Sequence, residues 1–154
     1  MGSKSLTVAQ YLVLKAKKPM SAMKLLKLCY IAHGYMLAKH RLPLLDEQVQ
    51  AWQYGPIVES VYRSVRDYGS RPVTTVHGSM IWTVDFTEDE ESVMNEVLAK
   101  YENFDAVTLS AAMHKAGTPW EVSWSVREEN TSMSNELIAY FYGNVLALPS
   151  HASL

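Results

Sequence analysis

Residues 21–40 read SAMKLLKLCYIAHGYMLAKH, and no other stretch limits the possible folds as much. Ser21 suits a helix N-cap, with Met20 and Leu25 at the positions of a hydrophobic staple. Met23, Leu26, Tyr30, His33 and Leu37 then fall on one side of the helix, and Leu25, Leu28, Ala32 and Met36 cover a second. A helix that is apolar over most of its girth has to be wrapped by other elements. The chain therefore reads as mainly α (α+β): a compact helical domain around a central hydrophobic helix. With 154 residues, 48% of them hydrophobic, there is material for one real core and too little for two ordinary domains. One domain over 1–154 is expected, ordered from about 5 to 148, with a loose tail from Pro149.

Breakers mark out the remaining elements. Thr7 and Gln10 have capping-box spacing at the start of a first helix, which Pro19 ends. Residues 48–53 alternate as a short strand would. In AWQYGPIVESVYRSVRDYG, Gly55 and Pro56 suit a cap and a first helical position. Val58, Val61, Tyr62 and Val65 follow as a buried stripe, and Gly69 is the stop. Two β-prone runs flank Gly78-Ser79, and the spacing predicts a hairpin over 73–85 that pairs Val73 with Val84 and Thr75 with Trp82. Thr87 and Glu90 form a second capping box. Asp105 caps a further helix that stops at Gly117, Thr118-Pro119 opens a short helical turn, and Ser132 or Ser134 begins the last helix.

The residues do not spell a reaction. One cysteine, Cys29, excludes an internal disulfide framework and a cysteine-based zinc site, and it fits a reducing cytosol. His33 and His40 share a helix face but lie about 10 Å apart along it, too far to hold one ion unaided. Cys29 and His33 are helical neighbours, yet both fall in the most apolar segment, where cysteine acts as an inert hydrophobe. Phosphate-loop, dinucleotide and nucleophile-elbow patterns are missing. EDEE at 88–91 is a solvated helix start. The formal charge of −2 does not favour nucleic acid, and Lys15, Lys17, Lys18, Lys24 and Lys27 read as an ordinary solvated face rather than a basic patch. No apolar run is long enough to predict a membrane span. Neither catalytic, cofactor nor metal residues are assigned.

What stands out is a set of aromatics beside rigid breakers: Trp52, Tyr54, Gly55 and Pro56, then His114, Pro119, Trp120 and Trp124. Three segments carry them or lead to them: MKLLKLCYIAHGYML (23–37), AWQYGPIVESVYRSVRDYG (51–69) and LSAAMHKAGTPW (109–120). In order and spacing over 20–142 the chain resembles the Panacea domain, the SocA-like and phage-associated GepA-like antitoxin family. The matching positions are Lys24, Leu25, Lys27, Leu28 and Tyr30, then Trp52, Gly55, Pro56, Ile57, Val61 and Tyr62, then Leu109, Ser110, His114, Pro119 and Trp120. Ile57 stands where valine is usual, and Met113 where threonine is common.

The resemblance implies a cytoplasmic antitoxin that neutralises a cognate toxin by direct binding, without catalysis. In the SocA-like branch it also implies an adaptor that delivers the toxin to the ClpXP protease. It implies that Trp52-Tyr54-Gly55-Pro56 and His114-Pro119-Trp120 are scaffold, packed around the start of the 56–69 helix. Partner contacts are then expected outside the shared motifs, at Met80 and Trp82 in 73–85 and at Trp124 in 121–131, where large apolar groups occur in loop-like chain; the equal alternative is that Trp82 and Trp124 plug the core. The alternatives are a phage or mobile-element accessory protein with a DNA-binding regulatory role, and a hydrolase using His33 or His114. Self-association is left open.

Overall fold

The computed structural model describes residues 3–124 and 131–148. The central helix, α2 (Ala22–His40), is buried at every position from Leu25 to Ala38. The Ser21 hydroxyl accepts from the Lys24 amide at 3.2 Å and caps it, and Arg41, at φ 58°, closes it through a bond to the Leu37 carbonyl. Met23 departs from the predicted apolar face and is exposed. The other helices are α1 (Ser3–Lys15), α3 (Glu59–Val65, continuing as a 3-10 turn at Arg66–Tyr68), α4 (Glu88–Tyr101), α5 (Ala106–Met113), α6 (Pro119–Ser123) and α7 (Asn135–Val145). α2 packs most extensively on α7 and α4, then on α1. A small antiparallel sheet, β1 (Gln50–Trp52), β2 (Gly55–Ile57) and β3 (Thr131–Ser132), has the order β2-β1-β3. The fold is mainly α with a short sheet. Among the described residues no helix is long and apolar enough to cross a membrane.

Most caps follow the sequence. Thr87 and Glu90 form a reciprocal box on α4, Asp105 accepts from the Thr108 amide at 2.8 Å on α5, and Thr118 with Pro119 starts α6. Ser134, not Ser132, caps α7. α5 stops at Met113, four residues before Gly117, which takes φ 84° in the turn beyond.

Three expectations are corrected. Thr7 and Gln10 do not start α1, which is already under way at Ser3. Instead they reach across to residues 74–80: Gln10 donates to the Thr74 carbonyl at 3.2 Å and accepts from the Val76 amide at 2.7 Å, and Thr7 Oγ1 accepts from the Met80 amide at 2.8 Å. The 73–85 hairpin is therefore absent. Its backbone groups are claimed by α1, the buried positions Val73 and Val76 are three apart rather than alternating, and the chain turns locally at Val76–Ser79 and Met80–Val84. A two-stranded ribbon alone would be marginal in water, so side-chain partners that also bury two valines win. Lastly, Gly55 and Pro56 do not begin a helix. They form β2, opposite Trp52 and Ala51, and α3 starts at Glu59. Proline is tolerated here because β2 is an edge strand. Residues 125–130 and the tail from Pro149 lie outside the described residues.

Candidate functional site

The three aromatic-and-breaker segments meet around the β1–β2 turn. Lys27 projects from α2 with no exposed surface, and its ammonium donates to the Tyr54 carbonyl at 3.2 Å. Burial lowers its pKa to about 8. Gly55 follows at φ 120°, where a β-carbon would lie 2.8 Å from Lys27 Nζ and 3.2 Å from Cε1 of His114. Glycine is thus required twice, for its backbone angle and for the close approach of two side chains.

His114 closes α5, and its Nδ1 lies 2.6 Å from the Ser110 carbonyl. A carbonyl only accepts, so Nδ1 carries a proton and donates it there. The His114 ring lies 4.3 Å from that of Trp120, and Trp120 stacks on Trp124 at 5.5 Å with the planes 14° apart. The Trp120 indole N–H donates to the Trp52 carbonyl at 2.6 Å, tying α6 to β1. Trp52 in turn meets the Tyr62 ring edge-on at 5.0 Å and bonds Gln50 through its indole nitrogen. Pro56 and Pro119 are buried beside these groups.

The cluster does not include every motif residue. Leu28 and Tyr30 are buried on α2, Tyr30 against Tyr142, and the Lys24 ammonium donates to the Glu102 carbonyl. Tyr54 contributes only its carbonyl, since its side chain is exposed. Met80 is half exposed and Trp82 is 90% exposed, whereas Trp124 is half-buried in the aromatic stack.

The groups with reactive chemistry are held in structural roles. His33 is fully buried; its Nδ1 accepts from the Leu44 and Leu45 amides, each at 3.2 Å, so its protonated Nε2 donates to Asn135 Oδ1 at 3.0 Å. It clasps α2, the 41–45 loop and α7 as a neutral ring, and burial pushes its pKa down to about 4. Burial, with Glu47 adding to it, drives the Cys29 thiol well above its ordinary range. Among the described residues no three His, Cys, Asp or Glu side chains gather as a metal-holding group. Of the five lysines Lys27 departs from the expected solvated face, being internal, whereas Lys15, Lys17 and Lys18 line one depression with Glu102, whose carboxylate accepts from the Lys17 and Lys18 backbone amides at 2.6 and 2.9 Å. Glu102 and Asn135 were not singled out from the sequence. A glutamate just past a helix and an asparagine just inside one carry no spacing signal, and only the tertiary fold supplies their partners.

These features define a class of protein: a mainly α scaffold in which Lys27, Trp52, Gly55, His114 and Trp120 pack on one another and on the backbone. The chain belongs to the family described as Antitoxin SocA-like, Panacea domain, whose model matches residues 25–121. It is similar to Antitoxin SocA of Caulobacter vibrioides (strain NA1000 / CB15N), 30% identical over 114 residues, an alignment that covers 68% of this chain and 60% of that protein. The chain thus spans about three fifths of the length of the curated relative it matches. No solved structure matches it.

Proposed function

We propose that this protein is an antitoxin that neutralises a cognate toxin by binding it directly, without turning over a substrate. The observation that carries the reading is the family match over 25–121, which contains the second and third motif segments whole and the first from Leu25 onward. Two features of the molecule support it. Lys27, His33, Cys29 and His114, the side chains a hydrolase would draw on, are buried or engaged in bonds that hold elements together. Large apolar groups remain in the open at Met80 and Trp82, outside the matched motifs' cluster.

The toxin is expected to be encoded beside this gene. Co-expression should restore growth that the toxin alone arrests, and the two proteins should co-purify at a fixed stoichiometry. Growth arrest unrelieved by this protein, with no complex formed, overturns the reading. The adaptor role is a further step of the proposal: the toxin should disappear faster in cells that contain both this protein and a ClpXP-type protease than in cells lacking either one. A toxin lifetime insensitive to the protease refutes that step and leaves neutralisation by binding standing.

A further inference from the structure

A groove of about 390 Å³ runs between α1 and residues 81–86, and it does not touch the Trp52–His114–Trp120 cluster. Its apolar lining comes from Tyr11, Leu14, Ile81, Trp82, Val84 and Phe86. Two of these lie open to water in a way a folded monomer does not need: Trp82 is 90% exposed and Leu14 54%. A tryptophan offers on the order of 200 Å² of surface for burial, among the largest contributions any single side chain makes to an interface.

The groove is also held in shape. Thr7 and Gln10 fasten residues 74–80 to α1, and Tyr11 meets Phe86 edge-on at 5.5 Å. A surface already ordered loses little freedom when a partner arrives.

Charge selects among partners. Asp85 and Glu91 line the groove, and Glu88 lies one helical turn before Glu91 on α4. These three exposed carboxylates have no ion-pair partner among the described residues, although Glu91 interacts with the Tyr11 hydroxyl, whereas the neighbouring Glu90 is paired with Lys4. Lys15 is the one cation on the lining, and it lies over the Tyr11 ring, 5.8 Å from its centre. Net negative charge around an apolar floor repels nucleic-acid phosphates and anionic lipid surfaces and attracts lysine and arginine.

We propose that the groove between α1 and residues 81–86 docks a segment of the toxin that carries an apolar anchor flanked by lysine or arginine. The anchor fills the space between Leu14 and Trp82, and the flanking cations meet Asp85, Glu88 and Glu91. This rests on the antitoxin reading for the existence of a protein partner, and it names the surface and the chemistry that reading leaves open.

The test uses the full chain and the toxin encoded beside it. Trp82→Ala and the reversal Asp85→Lys alter exposed positions outside the helices, so thermal melts should match the parent. Each should weaken the complex by about tenfold or more. The parent complex should also weaken as ionic strength rises from about 0.05 to about 0.3 M, and the reversed variant should lose part of that dependence. Overlapping peptides from the toxin that bind the parent should contain a large apolar residue flanked by Lys or Arg. Affinities within about twofold of the parent for both variants overturn the proposal. So does capture only of acidic peptides, or loss of self-association in Trp82→Ala with toxin binding intact, which would make the groove a contact between copies. A parent chain that binds no toxin defeats the antitoxin reading itself, and this proposal with it; a parent that binds while the variants bind equally well defeats this proposal alone.

Discussion

Gly34 of α2 leaves the space that the ring of Tyr142 on α7 occupies: a β-carbon there would lie 2.2 Å from Cδ2 and 2.5 Å from Cε2 of that ring. The ring has little room to retreat, being packed against Tyr30, Tyr35 and Phe141 at centroid distances of 5.9, 5.7 and 5.1 Å. Alanine favours a helix interior over glycine by about 1 kcal/mol, while overpacking a core costs about 1–3 kcal/mol. The clash should win. Gly34→Ala is expected to lower Tm by several degrees, at about 2–4 °C per kcal/mol for a chain of this size. In a Tyr142→Leu background the same change should be neutral or stabilising. An unchanged Tm for the single variant would contradict the close packing of these two helices.

The bond from Trp120 to the Trp52 carbonyl predicts a second loss. Trp120→Phe keeps most of the ring's contacts with His114 and Trp124 but leaves that carbonyl without its donor, a change of about 1–3 kcal/mol. His114→Ala removes both the bond to Ser110 and the contact with the Trp120 ring. The two substitutions share a 4.3 Å ring contact, so in a double-mutant cycle their effects should not add. Denaturant unfolding measures this directly. Unchanged stability and unchanged toxin binding in His114→Ala would remove any structural part for that histidine.

How far the fold could be read from the residues depended on whether the signal was local. α2 and the caps at Ser21, Thr87, Asp105 and Thr118 were legible because apolar periodicity and a hydroxyl or carboxylate three residues ahead act within one turn. Thr7 and Gln10 carried the same local pattern and misled, because their side chains bond residues 74–80 across the molecule. Gly55-Pro56 misled for a related reason: a glycine followed by proline is a common helix start, but pairing with β1 claims the backbone, with Gly55 at φ 120°. At the aromatic cluster, the motifs singled out Trp52, Gly55, His114 and Trp120, which the fold brings together. Their convergence on Lys27, a lysine turned inward on an otherwise ordinary Lys-x-x-Lys repeat, could not be read from spacing. Trp82 was legible as large and apolar, but only the fold shows that it is exposed and edged by carboxylates.

His33 makes stability depend on pH in a defined window. The ring is neutral in the folded protein with a pKa of about 4, and its ordinary value is 6.5. Between these values the unfolded chain binds more protons, so stability is complete above pH 6.5 and falls as the pH drops towards 4. Protonating Nδ1 also breaks the bonds from Leu44 and Leu45. The loss over the window is about 3 kcal/mol. Burial works against ionisation at Asp46, Glu90 and Glu96, but hydrogen bonds from Ser5, Lys4 and Lys39 outweigh it and hold these carboxylates below their ordinary range. Their contribution is therefore lost at lower pH than that of His33. Denaturant titrations at intervals from pH 7 to pH 4 should show the slope, and His33→Gln should flatten it. Parallel slopes for both proteins would rule out this assignment.

Lys27 gives the matching effect on the alkaline side. Burial lowers its pKa from 10.5 to about 8, so below pH 8 the folded protein carries a buried ammonium at full penalty. Between pH 8 and 10.5 the folded protein has released a proton that the unfolded chain still holds. Stability from this residue therefore rises with pH across that interval, by about 3 kcal/mol. Lys27→Met retains a long apolar stem in the same space and removes the titrating group, leaving the Tyr54 carbonyl without its donor. Its stability should not show that rise, so the difference between parent and variant should move in the parent's favour as the pH climbs. Unfolding midpoints measured at pH 7.5 and at pH 10 decide it. A difference that stays constant between the two would place the Lys27 ammonium in water rather than behind the β1–β2 turn.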